Sequence, residues 1–122
     1  MTITLKQNND ISCAVALTDG VIISDAQSAL DFIMSIAYET GCRRIAVSKD
    51  ALAEDFFNLR TGLAGEVLQK CVNYRIKFAI IGDFSKYDSK PLKDFIYESN
   101  RGRDIFFVSS ESQAVEYLTK QL

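Results

Sequence analysis

Phe78-Ala79-Ile80-Ile81 is an unbroken apolar run of strand length that stops at Gly82-Asp83. A strand apolar on both faces has to be covered on both faces, which is the condition of an interior strand in a parallel sheet. Helical patterns flank it. Leu63, Val67, Leu68 and Cys71 share one face of a predicted helix from about Thr61 to Tyr74. Leu92, Phe95 and Ile96 do the same after Ser89, a predicted cap, and Pro91, which suits a first helical turn.

The same alternation extends outward from this centre. Arg44 to Ser48 and Asp104 to Ser109 read as further strands. Ser24 and Gln27 have capping-box spacing before an apolar stripe of Ala26, Ala29, Leu30, Ile33, Met34 and Ala37, with Gly41 as a left-handed stop. Ser110 and Gln113 repeat that spacing before a last helix through Leu118. Ahead of all this, Thr2 to Lys6 and Ile11 to Leu17 alternate around Asn8-Asn9-Asp10, the pattern of a β-hairpin, with Ile11, Cys13, Val15 and Leu17 on one face. Val21 to Ile23 is a short apolar stretch, and Lys49 to Leu59 is the least regular, with room for one helical turn. The expectation is one α/β domain over residues 1–122: an N-terminal hairpin, then alternating helices and strands in a mostly parallel sheet with right-handed crossovers.

Composition narrows the chemistry. The chain has 122 residues, enough for one core. It contains no histidine, which removes imidazole metal sites and the triads that use an imidazole base. Three cysteines, Cys13, Cys42 and Cys71, are widely spaced and read as reduced thiols, with Cys42 the most exposed. No metal or other cofactor is expected. The net charge of −2 argues against a nucleic-acid module, which carries a basic excess. No apolar run reaches the roughly 20 residues of a membrane span, and the first residues lack the pattern of a signal peptide. The reading is a cytoplasmic protein without nucleic-acid binding or membrane insertion.

Two segments stand out as a surface. Phe56 to Glu66 places Asn58, Arg60 and Thr61 at the mouth of a helix, where free N–H groups and partial positive charge collect. Asp83-Phe84-Ser85-Lys86-Tyr87 leaves the C-terminal end of the buried strand, the edge at which open α/β sheets bind ligands. Parallel strands put both segments on one rim. Phe56, Phe57, Phe84, Tyr87 and Tyr97 exceed what a small core needs, so some are expected beside that rim as an interface patch. Asp55 and Asp83 are the carboxylates available to hold a cation or position a hydroxyl.

The order of elements, with Thr61-Gly62-Leu63 at the mouth of the second helix, resembles the STAS domains of anti-sigma factor antagonists (SpoIIAA-like). That resemblance implies a partner-binding domain switched by phosphorylation of a serine in an Asp-Ser-Ser-Gly-Leu type motif. Here Arg60 occupies the place of the switch serine, which leaves Thr61 as the only hydroxyl at the corner. Five phrases resemble a bacterial family known as domain of unknown function 4180: Asp55 to Gly62, Gly65 to Lys70, Gly82 to Tyr87, Asp94 to Asn100 and Ile105 to Ser109. That family brings no activity with it.

The expected function is a non-enzymatic binding or regulatory domain. Its surface is Asn58, Arg60, Thr61, Asp83, Ser85 and Tyr87, with Phe57 and Phe84 as apolar anchors. The occupant is a protein partner or a second copy in a homodimer. One alternative is a small anionic or lipid-like ligand held at this rim or in a cavity beneath it. A weaker alternative is a hydrolase or transferase using Asp55, Asp83 or Tyr87, with or without a divalent ion.

Overall fold

A computed structural model describes residues 1–120. Five strands, β1 (Thr2–Asn8), β2 (Ile11–Leu17), β3 (Arg44–Ser48), β4 (Lys77–Ile81) and β5 (Ile105–Val108), form one sheet in the order β1-β2-β3-β4-β5. β1 and β2 are antiparallel and every other pair is parallel. Asn9 and Asp10, at φ of 54° and 61°, make the two-residue turn between β1 and β2. Both central residues at positive φ match the strand twist, and Asn and Asp tolerate that region.

Four α-helices complete the fold: α1 (Ala26–Thr40), α2 (Leu63–Asn73), α3 (Lys90–Asn100) and α4 (Glu111–Leu118). Each βαβ step moves one place in the same direction along the sheet. Crossovers of one hand therefore lay α1, α2 and α3 on the same face. There they bury Ile45, Val47, Phe78, Ile80, Ile105 and Phe107. Among the described residues, α4 alone covers the other face, setting Ala114 and Leu118 against Cys13, Val15, Ala46, Ala79, Phe106 and Val108. The small Ala46 and Ala79 in mid-sheet let a single short helix sit close to the strands. Arg44 donates from Nη1 to the carbonyl of Leu118 at 2.5 Å, tying the end of α4 down.

Several local expectations change. α1 is capped by Asp25 and Ser28 rather than Ser24 and Gln27: Ser28 N–H donates to Asp25 Oδ1 at 2.7 Å, and Asp25 N–H donates to Ser28 Oγ at 3.1 Å. At α4, Ser110 accepts from Gln113 N–H as a cap should, but the Gln113 side chain accepts from Ser109 instead of closing the box. Cys13 to Ala16 are buried on both faces, because β2 is interior and its alternation marks no solvent face. Cys42 is buried with the other two thiols, since the chain dives into β3 straight after the left-handed Gly41. Burial pushes the Cys71 thiol up to about 12. Val21 and Ile22 stay exposed, while Ile23 bridges Leu52 and is fully buried. Lys49 to Leu59 holds not one turn but most of three 3₁₀ turns, Lys49–Ala51, Glu54–Phe57 and Leu59–Thr61.

Candidate functional site

The rim lies where β3 and β4 end. A consecutive strand order has no reversal, so the crevice that a reversal opens between helices on opposite faces does not form here. The 3₁₀ segment fills the corresponding space. Phe56 enters the core with no exposed surface and packs at 5.1 Å from the Phe57 ring and 6.2 Å from the Phe107 ring, centroid to centroid. Backbone bonds hold the segment to the loop after β2: Ile22 and Ile23 donate to the Ala51 carbonyl at 2.8 Å each, and Ala53 donates to Ile23 at 2.9 Å.

The two segments singled out in the sequence do meet. Phe57 stacks on Tyr87 with centroids 5.0 Å apart and contacts Phe84 at 5.9 Å. The Tyr87 hydroxyl donates to the Glu54 carboxylate, 3.2 Å from each oxygen, and Lys86 Nζ lies 3.2 Å from Glu54 Oε1. Lys49 Nζ sits 5.0 Å from the Tyr87 ring centre and 5.5 Å from that of Phe57. Those distances suit cation–π attraction. The Lys49 stem reaches this place by crossing Gly82. A Cβ at position 82 would fall 2.6 Å from Lys49 Cβ and 2.9 Å from Cδ. The chain leaving β4 therefore needs glycine at this crossing.

Phe57 is 4% exposed, so it supports the rim from beneath rather than presenting an anchor. Phe84 and Tyr87 are half-buried and supply the apolar surface that remains; Tyr97 is exposed, stacked under Arg101 on α3. Asn58 and Thr61 act on the backbone. Asn58 Oδ1 accepts from Arg60 N–H at 3.2 Å. The Thr61 hydroxyl lies 2.7 Å from the Asp55 carbonyl and 2.9 Å from that of Asn58, and accepts from Leu63 N–H at 3.3 Å. It closes the last 3₁₀ turn and opens α2. Gly62, at φ 79°, makes the left-handed step between them. Asp83 folds into a turn of its own, accepting from Ser85 N–H at 2.9 Å. Arg60 is exposed, and among the described residues its guanidinium makes no salt bridge. Also among the described residues, no three acidic or cysteine side chains come together as a metal site.

The electrostatics of the rim share one direction. Partial burial pushes the Glu54 carboxyl up, but hydrogen bonds from Lys86 and Tyr87 and the charges of Lys86 and Lys49 outweigh it, leaving the group below its ordinary value. Hydrogen bonding from Ser85 lowers Asp83. The hydrogen bond to Glu54 raises Lys86. Burial, then the Glu54 charge, raises Tyr87. All four groups shift away from neutral pH, so each keeps one protonation state there: Glu54, Asp83 and Lys86 charged, Tyr87 neutral.

The signs define a window for the interlock. A lowered carboxyl contributes stability above its unfolded value and loses it as pH falls through the folded one; a raised phenol contributes below its unfolded value and loses it as pH rises. Ultraviolet titration should therefore show one tyrosine ionising above the ordinary value of about 10, absent in Tyr87→Phe. In Glu54→Gln that step should move down only part of the way, because burial remains. An unmoved step would mean that Glu54 does not act on the phenol.

Glu54 and Lys49 were not legible as site residues. Glu54 is 32 residues from Lys86 in the chain, and no spacing links them. The glycine after β4 was the only local sign that something crosses there.

A family model described as "Domain of unknown function (DUF4180)" matches residues 8–118. The chain belongs to that family. The match runs from the end of β1 to the end of α4 and so takes in both segments of the rim. No curated protein and no solved structure matches the chain. In this DUF4180 domain two clefts bear on the candidate surface, one away from the rim and one lined in part by the rim residues Asp83 and Phe84. One, of about 320 Å³, opens between α2 and α3, walled by Leu68, Phe95 and Ile105 with Glu98, Arg103 and Asp104 at its edge. The other, of about 540 Å³, lies beside Asp83, Asn100 and Gln113. No described helix is long and apolar enough to cross a membrane.

Proposed function

We propose that this chain is a non-enzymatic, cytosolic binding or regulatory domain of STAS-like topology, and that it engages a protein partner through the rim beyond β3 and β4. One observation carries the reading: Glu54, Lys86, Tyr87, Phe57 and Lys49 interlock two distant segments, so the surface between Arg60 and Asp83 is preorganised before anything binds. Preorganisation reduces the ordering cost of association. Half-buried Phe84 and Tyr87 share a loop with exposed Asp83, Ser85 and Lys86, and exposed Arg60 is carried by the segment that Phe57 joins to them; an apolar centre with a charged margin is the usual anatomy of a protein interface. The hairpin-first order and the Thr61–Gly62–Leu63 helix start support the STAS-like assignment. Thr61 serves as a cap in this reading, since a phosphate would cost its backbone bonds.

A second reading has an observation of its own. The cleft between α2 and α3 has apolar walls, which suit a lipid-like chain, and an edge where Arg103 stands with Glu98 and Asp104.

Native mass spectrometry of the protein purified gently from its host separates the two. The rim variant is Arg60→Glu with Lys86→Glu, since truncating Phe84 would also disturb its packing on Phe57 and Phe107. The parent should carry a partner protein that the variant holds at least about tenfold more weakly. A partner held equally by both would sink the rim. A bound small molecule would move the assignment to the cleft.

A further inference from the structure

The two edges of the sheet are treated differently. In a parallel strand the N–H and C=O of a residue point the same way, and the Asp104 and Val108 carbonyls accept from β4 or the residue after it, Phe78 and Gly82. Phe107 therefore points outward. Its N–H donates to Asn100 Oδ1 at 2.7 Å, and its C=O accepts from Asn100 Nδ2 at 3.0 Å. The side-chain amide at the end of α3 does what a sixth strand would do, so the β5 edge is closed at its centre.

Among the described residues, the β1 edge has no such cover. The turn at Asn9-Asp10 makes Asn8 and Ile11 a hydrogen-bonded pair, and such pairs alternate. Lys6, Thr4 and Thr2 thus face β2, while the N–H and C=O of Ile3, Leu5 and Gln7 face outward. β1 is seven residues long and carries neither proline nor bulge. Leu5 is 59% exposed, and Ile3 beside it is only partly buried against the helix-covered core. An open, extended, partly apolar edge is a template for another strand.

The sequence of this edge fits itself. We propose that β1 pairs antiparallel with β1 of a second copy about a two-fold axis at Thr4, joining two sheets into one. Ile3 then faces Leu5 of the other copy, and Thr4 faces Thr4. The Ile3–Leu5 pairs fall on outward-pointing positions, so they exchange about four backbone hydrogen bonds. Their side chains meet on the face of α1, forming a four-residue apolar cluster that covers Leu5. Thr2 faces Lys6 on the α4 side, which keeps like charges apart. Moving the axis to Leu5 would set Ile3 against Gln7 and split the apolar pairs. This self-complementarity singles out a second copy over an unrelated strand. The surface is separate from the rim and stands whether or not the rim binds a partner.

Light scattering after size exclusion tests it with the full chain. The parent should run at twice the chain mass. Leu5→Pro should run at the chain mass: the lost N–H points outward, so no bond to β2 is broken. Leu5→Lys should do the same with an unchanged circular dichroism spectrum, and it decides the matter if the proline variant is unfolded. A parent that stays at the chain mass overturns the proposal, as does a dimer that survives Leu5→Lys.

Discussion

Phe56→Ala should cost about 3–5 kcal/mol of stability and lower the melting temperature by on the order of 10 °C or more. Phe56 is the aromatic that the irregular segment gives to the core, fully buried between Phe57 and Phe107. Removing the ring leaves a void where three parts of the molecule meet: the 3₁₀ segment, β5 and the start of α2. The 3₁₀ turns have few repeating hydrogen bonds with which to hold their shape. The interlock of Glu54, Lys86 and Tyr87 should then loosen before the sheet melts. A calorimetric scan checks the size of the loss, and the Tyr87 titration step checks its location. A drop below about 0.5 kcal/mol, within the range of surface substitutions, would mean that the segment is held by its backbone bonds alone.

Asn100→Ala should destabilise the domain by about 1–3 kcal/mol, the cost of leaving a buried donor and acceptor without partners. Phe107 is 5% exposed, so water cannot readily replace both bonds. Asn100→Asp should recover only part of the loss, because a carboxylate accepts from the Phe107 N–H but cannot donate to its carbonyl. Urea titration should show a lower midpoint with an unchanged slope for both variants. Equal midpoints for parent and Asn100→Ala would show that the amide is dispensable. The substitution also opens the second sheet edge, so greater self-association at high concentration is expected alongside the lost stability.

Much of the fold was written in periodicity. Phe78 to Ile81, Ile105 to Val108 and the helical stripes are set by which residues must leave water, and that demand is local enough to read one segment at a time. Turn chemistry was equally local, as at Asn9-Asp10 and Gly41. Caps were less so: Asp25 and Ser24 are neighbours with the same capability, and only the angle at which the chain leaves the Ile23–Leu52 bridge selects between them.

The candidate surface divides along the same line. Both of its segments were visible, because each follows a strand and opens toward a helix. Which aromatic side chains stay at the surface was not visible. Phe56 and Phe57 turn inward because the consecutive strand order leaves a space above β4 and β5 for them to fill, and strand order is not a property of any short segment.

By itself the sequence determined the class of the domain, its element order and the place of its rim, because burial and backbone geometry act over a few residues at a time. The tertiary structure alone decided which charges meet and which edge stays open. Glu54 reaches Lys86 and Tyr87, and Asn100 reaches Phe107, only after the crossovers have been made. The pairing energy of such groups depends on a separation in space that their separation in sequence does not encode.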